Sequence, residues 1–200
     1  LDVSEKMNAD ASHWPKDRLE TVFNSFPSEY RRHIRENYGD KKLSIGKWNG
    51  EMRVEEALRS AVMYREALSF VAEACAHISA KSRGEVDIEL SVDETTTPTL
   101  PIHHAFIALE LKRMKISLTS LAPRFIGEFE KGIDYRGDID EFERQFRLHA
   151  EIAEGIGSYK LSVHSGSDKL SVYPHIGSLS NARFHLKTAG TSWLVALDTI

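Results

Sequence analysis

Two pairs of side chains in this sequence have the chemistry of a metal-assisted reaction. Asp93 and Glu94 are adjacent carboxylates after a short β-type run, and His164 and His185 stand near the ends of two other such runs. Neutral imidazole is the commonest protein ligand of metals, and a carboxylate can take up and return a proton. We therefore predict that Asp93 and Glu94 are catalytic and that His164 and His185 bind a divalent metal cation, for which Zn, Mn, Co and Ni are all candidates.

Each of these residues also has a purely structural interpretation. Either histidine could hydrogen-bond within a polar interior, and Glu94 could cap the segment that follows it. Adjacent residues of a strand point to opposite faces, so both carboxylates can serve one site only if the backbone turns there. The sequence leaves open which of the two carboxylates transfers the proton.

A second group of residues could bind an anionic substrate. These predicted substrate-binding residues are Arg124, Ser165, Ser167, Lys169 and Lys187. The small residues of segment 164–169 would let backbone N–H groups approach an oxyanion, although Ser-Gly-Ser is also common in simple turns. The charged and aromatic segment 124–135 could form a lid over a polar substrate, or it could be a solvated surface loop.

The elements that would position these residues alternate between strands and helices. Short β-type runs occur at 43–46, 86–92, 116–120, 159–164 and 183–187, and helical patterns at 15–24, 27–37, 53–79, 102–114 and 139–154. This alternation predicts an α/β fold of parallel strands with crossover helices. An antiparallel sheet with one solvated face is the alternative, but the long intervening helices argue against it.

The two faces of the predicted strands differ in polarity. In 86–93 the apolar side chains of Val86, Ile88, Leu90 and Val92 alternate with Asp87, Glu89, Ser91 and Asp93. A doubly wound sheet is covered by helices on both faces, so its central strands should be apolar on both. We therefore predict part of a (β/α) TIM-type barrel, in which Glu89, Asp93, His164 and His185 face inward. Within it, Glu89 is expected to pair with Lys160.

Composition restricts the class of protein. Of the 200 residues, 41% are apolar and 28% are charged, and the net charge is −4. A nucleic-acid or membrane-surface partner needs a basic face, so we expect neither. The single cysteine, Cys75, rules out an internal disulfide, and a cytoplasmic location is expected. We expect one domain over 1–200, with a helical lead-in at 1–40 and strand–helix units at 41–200; the oligomeric state stays open.

The two ends of the chain suggest a portion of a longer protein. The sequence begins at Leu1 without an initiator methionine, and it ends within the apolar pattern of 193–197, which is typical of a helix that is just starting.

Three segments resemble the tagaturonate epimerase family. They are the runs at 91–95, 121–135 and 160–169, and the resemblance extends over most of residues 40–200. It implies a metal-dependent isomerase that interconverts the keto-uronates tagaturonate and fructuronate in galacturonate catabolism. Family members are much longer, so the chain would be a central portion of one.

The chemistry of these two sugar acids favours a particular route. They differ at a carbon β to the ketone, whose C–H is not acidified by the carbonyl, so we expect retro-aldol cleavage and re-addition. Transient oxidation by a bound nicotinamide is the competing route, but the sequence has no GxGxxG fingerprint. Alternative functions are a metal-dependent aldolase, a sugar isomerase, or a non-catalytic sugar-acid binding barrel.

Overall fold

The computed structural model of this chain describes residues 1–188 and 197. Its helices are α1 Lys16–Asn24, α2 Ser28–Asn37, α3 Val54–Lys81, α4 Pro101–Arg113, α5 Ile139–Ile156 and α6 Tyr173–Leu179. Its strands are β1 Lys41–Ile45, β2 Trp48–Met52, β3 Glu89–Ser91, β4 Ser120–Ala122, β5 Lys160–Val163 and β6 Phe184–Leu186. The helix predicted to start within 193–197 lies outside the described residues, apart from Leu197.

Four parallel strands form the central sheet, in the order β3-β4-β5-β6. Helices α4, α5 and α6 each connect one strand to the next, which confirms the predicted parallel strands with crossover helices. The described strands form an open sheet, and closure into a barrel stays a prediction.

The sheet has one apolar and one polar face, as its sequence alternation predicts. Leu90, Leu121 and Leu161 are buried and pack against helix residues such as Phe106 and Phe146. The alternate positions carry polar side chains that neighbouring strands align: Glu89 is opposite Ser120, and Ser162 is opposite His185. Because strand neighbours in register share a face, polar groups from all four strands meet on one side.

The helix that connects β4 to β5 shows how the sequence shapes these connections. Asp138 caps α5 by accepting a hydrogen bond from the backbone N–H of Glu141 at 3.0 Å. Phe142 and Phe146 are four residues apart, so they lie on one side of the helix, and both are fully buried against the apolar face of the sheet.

The prediction of a parallel strand at 43–46 is wrong. Strands β1 and β2 instead form an antiparallel hairpin, in which Ile45 pairs with Trp48. Gly46 has a φ of 56° in the two-residue turn, a conformation that favours glycine. A Cβ atom at Gly46 would also press against the backbone of Gly155 in α5. The hairpin therefore packs tightly on α5 rather than joining the sheet.

The other strands are shorter than their apolar runs or displaced from them. The run at 116–120 becomes β4 at Ser120–Ala122, because α4 ends in a turn where Lys115 adopts a φ of 59° and the chain reaches the sheet later.

The first residues of the chain also lie along the sheet. Val3 donates its backbone N–H to Ser91 at 3.0 Å, and Ser91 donates to Leu1 at 2.9 Å, beside β3. Two short 3-10 turns follow, and then α1 and α2 pack against α3. None of the helices in the described part of the chain is long and apolar enough to cross a membrane.

Candidate active site

A cavity of about 350 Å³ opens where the carboxyl ends of the four parallel strands meet. Ligands of parallel α/β sheets bind at this edge. Most of the predicted site residues line the cavity: Asp93, Glu94, Arg124, His164, Ser165, Ser167 and Lys187. His185 and Lys169 are not among the lining residues. The volume is in the range of small-molecule sites.

His164 is held between two carboxylates. Its Nδ1 atom lies 3.1 Å from Oδ2 of Asp93, and its Nε2 atom lies 3.0 Å from Oε1 of Glu89. Burial alone would lower the pKa of His164, but hydrogen bonds and charge from Asp93 and Glu89 outweigh it and raise the pKa. The imidazole therefore favours the protonated form in this arrangement, donating through both ring nitrogens.

Asp93 is already engaged by its neighbours. Burial would raise its pKa, but hydrogen bonds from His164 and from the Ser91 hydroxyl lower it. The carboxylate of Glu94, in contrast, lines the cavity from an exposed position. Within the part of the chain that the structure describes, Glu94 has no hydrogen-bonded or ion-paired side-chain partner.

Glu89 is the site residue whose role the sequence did not predict. Its Oε2 atom accepts hydrogen bonds from Ser120 at 2.7 Å and from His185 Nδ1 at 2.6 Å, while Oε1 contacts His164. Burial would raise the pKa of Glu89, yet these hydrogen bonds lower it to about 2. The expected ion pair between Glu89 and Lys160 is wrong, because Lys160 is exposed at the first position of β5.

His185 lies beside this cluster rather than on the cavity wall. Its Nδ1 atom is 3.0 Å from the Ser162 hydroxyl as well as close to Glu89, and about half of its side chain is exposed (48%). Glu89 therefore links the two predicted metal-binding histidines through a single carboxylate.

The donor types in this cluster suit a divalent cation, since imidazoles and carboxylates are its usual nitrogen and oxygen ligands. Within residues 1–188 and 197, however, no three or more His, Cys, Asp or Glu side chains are arranged to hold one ion. Both ring nitrogens of His164 are also occupied by carboxylates, and metal binding would require one of them to exchange its partner. The chemistry of the donors fits a metal, while the described residues supply an incomplete ligand set.

Three cationic side chains face the same cavity: Arg124, Lys131 and Lys187. The backbone of Arg124 is fixed by Thr99, which donates its N–H to the Arg124 carbonyl at 2.8 Å and accepts the Arg124 N–H through its hydroxyl at 3.1 Å. Lys131 was not predicted from the sequence, although it belongs to the charged segment 124–135. These cations suit an anionic ligand.

Segment 124–135, which the sequence leaves as either a lid or a surface loop, forms part of the cavity wall. We call residues 125–137 the wall loop. Glu128 and Arg136 pair across it through their backbones, and the Tyr135 hydroxyl donates to the Ile126 carbonyl at 3.2 Å. Gly127 adopts a φ of 87° beneath the Tyr135 ring, where a Cβ atom would overlap the ring. The loop is thus closed on itself and contributes lining residues directly.

Lys169 occupies a different place from that expected of a substrate-binding residue. Its side chain is fully buried, and its ammonium donates to the carbonyls of Glu130 at 2.6 Å, Ile133 at 2.6 Å and Ser167 at 3.0 Å. A lysine has only three N–H donors, so none is left for a substrate.

Two buried histidines, His104 and His149, form a chain of hydrogen bonds that reaches the backbone of Thr99. Tyr159 is 2.5 Å from Nε2 of His104, whose Nδ1 is 2.9 Å from Nδ1 of His149. Burial lowers the pKa of both imidazoles, and that of His149 falls to about 4 even though a hydrogen bond to the Thr99 backbone raises it. The chain is complete when both rings are neutral, which ties α4 and α5 to the Thr99–Arg124 contact.

Comparison with known proteins identifies relatives of this chain. The sequence profile of the tagaturonate epimerase family matches residues 1–200. A curated tagaturonate/fructuronate epimerase from Thermotoga maritima is 46% identical over 163 residues, which are 82% of this chain and 34% of that relative.

Solved structures give the same result. A glycerol-bound crystal structure of the fructuronate–tagaturonate epimerase UxaE from Cohnella laeviribosi has a TM-score of 0.93 and 42% identity, covering 98% of this chain and 40% of that one. The native structure of that protein has a TM-score of 0.89. The chain thus spans well under half the length of these relatives, and over that length it belongs to the tagaturonate epimerase family.

Proposed function

We propose that this chain supplies part of the active site of an isomerase that interconverts tagaturonate and fructuronate. The observation that carries the proposal is the cavity itself, in which the paired Asp93 and His164, the carboxylate of Glu94 and three cations converge at the strand ends. The activity named for the relatives requires these elements: recognition of an anionic sugar and transfer of a proton at a hydroxyl.

The cations account for recognition of the substrate carboxylate. Both keto-uronates are anions, and Arg124, Lys131 and Lys187 face the volume that they would occupy. Arginine can bind a carboxylate through two parallel hydrogen bonds, whereas lysine acts as a point charge. We assign Arg124 to the substrate carboxylate because its backbone is fixed by Thr99.

Glu94 is the carboxylate that we propose transfers the proton. Asp93 is less available as a base, since its pKa is lowered and its oxygens bind His164 and Ser91. In the forward direction, Glu94 removes the proton of the hydroxyl on the carbon β to the ketone. The C–O bond of that hydroxyl becomes the carbonyl of an aldehyde, and the bond to the α carbon breaks, leaving its electron pair as an enediolate.

The same residues carry the reverse step. After the aldehyde turns its other face, the enediolate carbon attacks it, and Glu94 returns the proton to the new hydroxyl, so that atoms and electrons balance. The basic side chains retain the fragment that bears the carboxylate, which prevents its loss before re-addition.

We further propose that a divalent metal takes part, with His164 and His185 as two of its ligands and the others from elsewhere in the full-length protein. When bound, such an ion stabilises negative charge on the ketone oxygen. We also propose that the full-length protein is a cytoplasmic enzyme with a complete (β/α) barrel. The polar face of the strands supports the barrel, and the donor types around Glu89 support the metal site.

The decisive experiment is a turnover assay on the full-length protein that carries this chain. Tagaturonate is supplied, and fructuronate and three-carbon cleavage products are separated and quantified, before and after exhaustive chelation and metal analysis. We expect fructuronate to form, activity to fall on chelation and to return with added metal. Accumulation of cleavage products without epimer would identify an aldolase, and binding without turnover would identify a sugar-acid binding protein.

A further inference from the structure

The ammonium of Lys169 joins two walls of the cavity. Glu130 and Ile133, which accept two of its hydrogen bonds, flank Lys131 and Gly132 in the wall loop, and both of those residues line the cavity. Ser167, which accepts the third, lies in the segment after β5 and also lines the cavity. One buried charge therefore fixes the distance between two segments that are far apart in the sequence.

The surrounding groups make this contact a stable one. Burial lowers the pKa of Lys169, while the charges of Asp168, Asp134 and Glu130 oppose that change. Asp134 adds a second tie, because its carboxylate accepts hydrogen bonds from the backbone N–H and the hydroxyl of Ser171 at 3.2 Å and 2.9 Å. The wall loop is thus held at Glu130, just before Lys131, and at Ile133 and Asp134, which follow it by two and three residues.

Lys131 depends on this arrangement for its position. Its side chain is exposed, but its backbone lies between two carbonyls that Lys169 holds in place. An exposed lysine on a free loop samples a large volume, whereas one on a fixed backbone keeps its charge near the cavity and loses less conformational entropy on binding.

We propose that Lys169 is a positioning residue, which holds the wall loop so that Lys131 joins Arg124 in binding the carboxylate of the anionic substrate. The identity of the substrate in this inference rests on the proposed function. The effect of Lys169 on the wall loop is independent of that function, because it can be measured without any substrate.

A double-mutant cycle in the full-length protein tests the link between the two lysines. The variants are Lys169→Met, Lys131→Gln and the double variant, with Lys160→Met as the matched control because Lys160 is an exposed lysine outside the cavity lining. We expect each single variant to raise KM for the keto-uronate about tenfold with kcat nearly unchanged, since a lost ion pair in binding is worth roughly that factor. The double variant should match Lys169→Met alone, because coupled residues are not additive.

A roughly hundredfold rise in KM for the double variant would show independent effects and overturn the proposal. If Lys169→Met does not fold, Lys169→Gln replaces it in the same cycle, because it keeps N–H donors at a shorter reach. Unchanged KM in either variant at Lys169 also overturns the proposal.

Hydrogen exchange separates this inference from the proposed function. In the Lys169 variant, the amides of Glu128 and Arg136, which pair across the wall loop, should exchange faster than in the wild type, while those of 142–153 in α5 should not change. This result would stand even if the protein turned over no keto-uronate. Equal exchange in the wall loop of both proteins would show that Lys169 does not fix it.

Discussion

The Oε1 atom of Glu89 lies 3.0 Å from the Nε2 atom of His164, although the two residues are 75 positions apart in the chain. The other oxygen of the same carboxylate binds Ser120 and His185. One side chain from β3 therefore connects to β4, to the end of β5 and to β6, which makes it the centre of the polar face below the cavity.

Replacing Glu89 by glutamine should weaken both the fold and the site. Glutamine has a similar size, but its NH₂ group meets donors where the carboxylate accepts hydrogen bonds. We expect the free energy of unfolding to fall by about 1–3 kcal/mol, as for a buried polar group left without its partner. Urea denaturation measures this, with Asp87→Asn as an exposed control on the same run. An unchanged midpoint would show that the network does not contribute to stability.

Glu94→Gln tests the assignment of the proton carrier. Loss of a general acid–base group usually costs about 10²- to 10⁴-fold in rate, so we expect kcat for epimerisation to fall by that factor. The melting temperature should not change, because the side chain is exposed at the cavity. Glu85→Gln, an exposed glutamate before β3, provides the control. A decrease of less than tenfold would transfer the role to Asp93.

His164→Ala tests the proposed metal site in the full-length protein. We expect bound metal and activity to be lost together while the fold survives, because His164 lies at the cavity rather than in the apolar layer. Metal stoichiometry and the melting temperature are measured on the same sample. His175→Ala is the control, since His175 pairs with Glu143 outside the cavity lining. Full metal content in the His164 variant would remove this residue from the ligand set.

The buried pair His104 and His149 should make stability depend on pH. The pKa of His149 is about 4 in the folded chain and about 6.5 when unfolded, so protons bind preferentially to the unfolded state between these values. Stability should be complete above pH 6.5 and should decrease as the pH falls toward 4, by roughly 3 kcal/mol for His149 alone.

Urea denaturation at several pH values checks this expectation. In His149→Gln, the decrease between pH 6.5 and 4 should be smaller than in the wild type, even if the variant is less stable at pH 7. His77→Gln serves as the control, since His77 is exposed on α3. Parallel pH profiles for the wild type and His149→Gln would contradict the assignment of a buried neutral imidazole.

Much of the sheet could be predicted from the sequence because a strand places alternate residues on opposite faces. The alternation through Glu89, Leu90 and Ser91 determined which side would be polar. The position of Asp93 and His164 after their strands predicted that both would reach the same edge. The long segments that resemble tagaturonate epimerases determined the family.

Tertiary structure alone decided which of these groups meet. The sequence gives no measure of the distance between Glu89 and His185, 96 positions apart, and only the register of the strands brings them to 2.6 Å. The sequence also could not show that three backbone carbonyls accept all the hydrogen bonds of the Lys169 ammonium. A lysine beside a Ser-Gly-Ser turn is equally typical of a ligand-binding group. Local patterns fix the face on which a side chain lies, whereas its partners depend on loop paths and strand register set by the packing of the whole chain.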